Sequence, residues 1–161
     1  MSWKTEITTL VRNLIGDTDL DNVTYSDDRL QESILTSAQL LQGELKFNNT
    51  YTVDIDECVL TPDPTENTKD NAFINLLALR TACIILRSEA KTQALQSINF
   101  VDGPSKIDGR GAAEGIAALA QSACQVYESA KDDYRIGNNS IGAAIITPYN
   151  VYNYTKSPNY R

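Results

Sequence analysis

Three aspartates at alternate positions, Asp17, Asp19 and Asp21, stand in an acidic loop, GDTDLDNVTYSDD. Oxygen ligands at alternate places between two helices open a calcium-binding helix–loop–helix, with a bidentate carboxylate at the twelfth place. Asp28 falls at that place. However, Asn22 occupies the position of the sharp-turn glycine, and aspartate is one methylene shorter than the usual glutamate. The preferred reading is an exposed turn with Asx-type capping. No metal site is assigned, and Asp17, Asp19 and Asp21 are the candidates if there is one. Gly109-Arg110-Gly111 with Gly115 is glycine-rich in the manner of a phosphate loop, but no Gly-Lys-Ser/Thr follows, so it reads as a hinge before a helix.

Cys83 and Cys124 fall on apolar helix faces, where a free thiol behaves as a small hydrophobe. A nucleophilic cysteine needs a nearby base, and the chain contains no histidine. Three cysteines, Cys58 included, are odd in number and far apart. That pattern predicts free thiols in a reducing compartment and no disulfide framework. Glu89, Glu114 and Glu128 are single carboxylates on predicted helices, and none is paired for acid–base work. No catalytic residue and no cofactor is assigned, and the chain is read as a non-enzyme.

The residues best suited to recognition lie in the last stretch, NNSIGAAIITPYNVYNYTKSPNYR, residues 138–161. It holds half of the eight tyrosines and no acidic residue. Pro148 and Pro158 rule out a continuous helix. A solvating linker is poor in aromatic and β-branched residues. This one is rich in both, and tyrosine brings contact area at low rotamer cost. Ile141, Ile145, Ile146, Tyr149, Val151, Tyr152, Tyr154 and Tyr160 are therefore the candidate partner-binding anchors. The segment reads as a separable module with few binding surfaces inside its own subunit.

Four helices must present these residues. Ser2 caps a first helix over 3–15, with Trp3, Ile7, Leu10, Val11, Leu14 and Ile15 on one stripe and Gly16 as its stop. Ser26 caps a second over about 27–46, with Leu30, Ile34, Ala38, Leu41 and Leu45 inward. Tyr51, Val53 and Ile55 alternate with polar residues, which predicts a β-arm over 51–60. A Pro-rich loop, 61–70, precedes a third helix over 70–95 that is apolar most of the way round and hence central. Residues 98–111 form a connector with a Gly103-Pro104 turn signal. A fourth, alanine-rich helix over 112–136 turns Ile116, Leu119, Ala120, Ala123, Cys124, Tyr127 and Ala130 inward. The expected fold is mainly α: a small four-helix bundle, residues 1–137, with a short β-arm and an extended C-terminal tail, residues 138–161.

The net charge of −7 hides an asymmetry. The body carries 12 basic against 21 acidic residues, a net of −9. Nucleic-acid affinity comes largely from Lys and Arg displacing counterions, so an acidic body suits a surface that DNA slides past. The start, MSWKTEI, is polar and does not read as a signal peptide, and no apolar run is expected to span a membrane.

Taken together, the helix, GDTDLDNVTYSDDRLQESI, the β-arm, PDPTENTKDNAFINLLALRTACIIL, DGPSKIDGRG, the alanine-rich helix and the long C-terminal extension resemble tailed-bacteriophage neck proteins. The closest likeness is to the head-to-tail adaptor, also called head completion or connector protein. The resemblance implies a helical subunit of the virion neck, between capsid and tail, put together in the host cytoplasm. It implies a ring of identical copies, commonly twelve, docked under the portal protein through the C-terminal extension, Asn138 to Arg161. The ring would continue the DNA channel, with DNA as passing cargo, and meet the next neck or tail-completion protein. The β-arm and the 98–111 connector are the implied contacts with neighbours. Two alternatives stand beside it: another neck component, such as a stopper or tail terminator, which are more often β-rich, and a calcium-responsive helical binding module using Asp17, Asp19 and Asp21.

Overall fold

The first helix, α1, runs Trp3–Ile15 and is bounded by two short-range devices. At its start the Ser2 hydroxyl accepts from the Lys4 amide, satisfying one of the donors a helix leaves open. At its end Gly16 adopts φ 79°, the left-handed conformation that glycine takes without a Cβ clash. Trp3, Ile7 and Val11 are buried, whereas Leu10 and Leu14 face outward. The structure is a computed structural model describing residues 2–19, 21–66, 68–96, 100–102, 105–107 and 110–137.

The second helix, α2, spans Asp27–Glu44 and is capped by Ser26, whose hydroxyl accepts from the Arg29 amide. Leu30, Ile34, Leu35, Ala38 and Leu41 are buried along it. The predicted β-arm is a hairpin of β1 (Thr52–Asp54) and β2 (Val59–Thr61), antiparallel with Val53 opposite Leu60. Its strands stop short of Ile55, which is exposed at the turn, while Tyr51 and Leu60 anchor the arm in the core. The Tyr51 ring stacks on Phe73 with centroids 4.0 Å apart.

The third helix, α3, spans Asn71–Gln96. Asp70 caps it, its Oδ1 accepting from the Phe73 amide at 3.1 Å. Its first four turns are buried on several sides by Phe73, Ile74, Leu76, Leu77, Ala78, Ala82 and Ile85. Both α1 and α2 pack on it, so it is the central element. By length and composition α3 passes the test for a membrane-crossing helix, contrary to the expectation that no apolar run would. Half of its most apolar window is covered by the other helices, as befits a core helix.

The connector holds a second small hairpin, β3 (Phe100–Asp102) with β4 (Ser105–Ile107), its strands on either side of the Gly103-Pro104 turn signal. The fourth helix, α4, spans Arg110–Gly137. It packs chiefly along α3, outside the core formed by α1, α2 and α3. Only its second half reaches further, where Tyr127 is fully buried and Tyr134 meets Phe47 with ring centroids 5.1 Å apart. Among the described residues the protein is mainly helical, with four helices and two short two-stranded antiparallel pairs.

One sequence expectation is overturned here. Cys83 on α3 and Cys124 on α4 are joined in a disulfide, with Cα atoms 4.7 Å apart, and Cys58 alone is a free thiol. The 41 intervening residues do not keep the two apart, because the long antiparallel return of α4 along α3 brings their inner faces together.

Candidate functional site

Of the carboxylates that could hold a cation, Asp17 and Asp19 are engaged within the loop itself. Asp17 is buried and ion-paired to Arg12, and its oxygens also accept from the Thr24 amide at 2.8 Å and the Tyr25 amide at 3.4 Å. Arg12 also donates to Asp27 at 2.7 Å and to the Tyr25 carbonyl at 2.8 Å, so the arginine closes the acidic loop onto both helices. Asp19 accepts from the Asp21 amide at 3.1 Å, an Asx-type turn. Among the described residues no group of three or more Cys, Asp or Glu side chains is placed to hold a metal. Where calcium would need carboxylate oxygens turned toward one point, Asp17 is turned toward a guanidinium.

A second cluster fastens α4 to the core. Tyr127 donates to Glu44 Oε2 at 2.8 Å, and Arg80 of α3 contacts Oε1 at 2.7 Å. Lys131 reaches Oε2 at 3.4 Å and also pairs with Glu128. Arg80 and Lys131 lie over the Tyr127 ring at 4.9 and 5.2 Å from its centroid, so the ring is held between two cations. Burial works to raise the Glu44 pKa, but the hydrogen bond from Tyr127, the Arg80 charge and Lys131 outweigh it and hold the carboxyl below its ordinary value. Burial, then the Glu44 carboxylate, pushes the Tyr127 hydroxyl up. Apart from the buried Arg80 Nε, the charged and hydroxyl groups of this cluster are paired with one another, and it has the character of a fastening.

What remains open is the surface of α4. Because the helix lies on α3 and beyond the core, it leaves a groove on each flank. One, of about 610 Å³, is lined by Ala90, Ala94, Ala117, Ala120, Gln121 and Gln125 with three charged residues, Arg87, Lys91 and Glu128. The other, of about 410 Å³, lies between the end of α1, the middle of α3 and the first half of α4. Leu14, Ile15, Leu79, Ala82, Leu86, Leu119, Ala123 and Val126 line it, Asn13 and Ser122 are its polar side chains, and it contains no charged residue. Leu119 is 63% exposed and Val126 52%, whereas Leu14 is 45% exposed. Three large aliphatic side chains on one concave strip are more than the scattered singles that any surface carries.

Sequence reasoning placed Leu119 on the inner stripe of its helix; the structure turns it out, because α4 has a neighbour on one side only. Periodicity marks the apolar stripe of this helix but does not say which part of it has a neighbour. The Ile141, Ile145, Ile146, Tyr149, Val151, Tyr152, Tyr154 and Tyr160 anchors lie outside the described residues. The expectation that the body offers this segment few surfaces rests on residues outside those described, and the uncharged groove is an open apolar surface on the body. Comparison with known protein families, with characterised proteins and with solved structures finds no significant match.

Proposed function

We propose that this chain is a structural adaptor of a tailed-phage neck, without enzymatic activity, that docks as a ring under a portal protein. In this reading residues 1–137 act as a small four-helix bundle and residues 138–161 as the docking segment. The observation that carries it is the contrast along one chain: a helical body of net charge −9 whose last helix leads directly into a tyrosine-rich segment with no acidic residue. The layout of helices and β-arm, in the order given above, supports the same reading, and the helical content favours it over the more β-rich stopper and tail terminator. The ring requires two different faces of each subunit to match. Ring symmetry then lets a modest contact per segment add up to firm attachment. The acidic body would line or flank the channel and let DNA pass.

The deciding experiment removes residues 138–161 and measures co-sedimentation with a portal ring. Circular dichroism reports whether the body keeps its helices. The adaptor reading expects an intact helical body that no longer sediments with the portal. Equal binding by the truncated chain would remove the segment as the anchor. The solution mass of the free protein, compared with that of the portal-bound form, reports whether the ring forms only on the portal.

A further inference from the structure

We propose that residues 142–146 of the C-terminal segment seat in the uncharged groove beside α4 of their own chain, as a strap folded back along that helix. Three observations carry this, and none depends on the portal reading.

The first is reach. The segment starts at Gly137, where α4 ends. At about 1.5 Å per helical residue, Val126 lies about 17 Å and Leu119 about 27 Å back along the helix. A chain that reverses over residues 138–140 and then covers about 3.3 Å per extended residue runs up to the groove over 142–144 and brings Ile145 level with Val126 and Ile146 level with Ala123, both in the groove lining. The second is the sequence at the reversal. Asn138-Asn139-Ser140 are turn-forming residue types whose side chains bond local backbone.

The third is chemistry. The groove is uncharged and aliphatic, and its two polar side chains, Asn13 and Ser122, sit in its lining. Residues 137–155 carry no charge, and Gly142-Ala143-Ala144-Ile145-Ile146 is the part that is small and aliphatic. The glycine and alanines let the backbone approach closely, and the two isoleucines supply the area to bury. The larger groove on the opposite flank carries Arg87, Lys91 and Glu128, which an uncharged segment would have to desolvate without partners. This difference selects one flank.

Hydrogen exchange on the full chain tests the strap, read by mass spectrometry at two protein concentrations a hundredfold apart. The amides of 142–146 are expected to exchange at least about tenfold more slowly than a free peptide of the same sequence, equally at both concentrations. The double variant Leu119→Asp/Val126→Asp is expected to abolish that protection. Both side chains are more than half exposed, so the helices should survive, and circular dichroism checks this. Ser122→Arg, at an exposed serine in the same groove, gives the same loss by an independent route. Gln121→Asp, in the opposite groove, leaves the protection in place. Free-peptide exchange in the wild-type chain overturns the proposal. So does protection that survives the groove variants, or is lost equally in Gln121→Asp. Protection that rises with concentration overturns it too, since the groove would then take the segment of another copy.

Discussion

Glu44 is the residue on which the attachment of α4 turns, and its ionisation sets a pH window. Its folded pKa lies below the ordinary 4.5. The stability it contributes is therefore present above that value and is lost as pH falls through the folded pKa. Thermal melts taken at steps from pH 6 downward should show Glu44→Gln losing less stability on acidification than the wild type. At neutral pH the same variant should be the less stable of the two. Tyr127→Phe keeps the ring between Arg80 and Lys131 and removes only the hydroxyl, so it should cost about 1.5–3 kcal/mol, the range for a hydrogen bond to a charged group. At the alkaline end the responsible residue is Tyr51. Burial, and the hydrogen bond it donates to Asp70 at 2.8 Å, push its hydroxyl up to about 12. A tyrosine raised in this way supports the fold fully below its ordinary value near 10 and loses that support as pH rises toward 12. Tyr51→Phe retains the stack on Phe73, and its melting temperature should fall less than that of the wild type between pH 10 and 12. The Glu44–Tyr127 pairing was not legible in the sequence, because the two residues are brought together only by the return of α4.

The elements themselves were largely legible. Ser2 with Gly16, and Ser26 with its two following aspartates, mark helix ends by local chemistry that needs no tertiary contact, and α1 and α2 begin where those residues place them. Alternation from Tyr51 found the β-arm, and near-continuous apolarity from Phe73 found the central helix. What periodicity could not supply was which side of α4 has a neighbour. A stripe of apolar residues is the same stripe whether it is covered or left as the wall of a groove. Leu119 was therefore misplaced, and the Cys83–Cys124 bond, which depends on the pairing of α3 with α4, was missed. That bond closes a long loop containing β3 and β4. In the chain-entropy account, a loop of this length is worth about 4 kcal/mol through the unfolded state. Reduction with dithiothreitol, and separately the Cys83→Ala/Cys124→Ala pair, should lower the unfolding free energy by up to about that amount in urea titrations. An untouched midpoint in both would mean that packing of α4 on α3 suffices without the bond.

At the scale of the whole molecule the governing quantity is charge. The body has 21 acidic residues and 12 basic ones. Several of its cations are already committed to internal carboxylates, among them Arg12, Lys69, Arg80 and Lys131. Binding to duplex DNA requires free Lys and Arg to displace condensed counterions, and its strength falls steeply as salt rises. A surface with an acidic excess and internally paired cations repels the phosphate backbone at distances within a Debye length, roughly 8 Å at physiological ionic strength. The full chain should therefore show no measurable shift in the fluorescence anisotropy of a labelled duplex at about 150 mM salt. Lowering the salt should not create one, whereas a basic DNA-binding surface gains affinity by orders of magnitude over the same change. Reversing exposed body acids, for example Asp132→Lys with Asp133→Lys, should begin to introduce salt-dependent retention. Wild-type binding that strengthens as salt falls would count against a channel-lining role, because a wall that holds DNA impedes its passage. The absence of binding would leave the C-terminal segment, with its tyrosines and no acid, as the part of the chain with the chemistry to hold a partner.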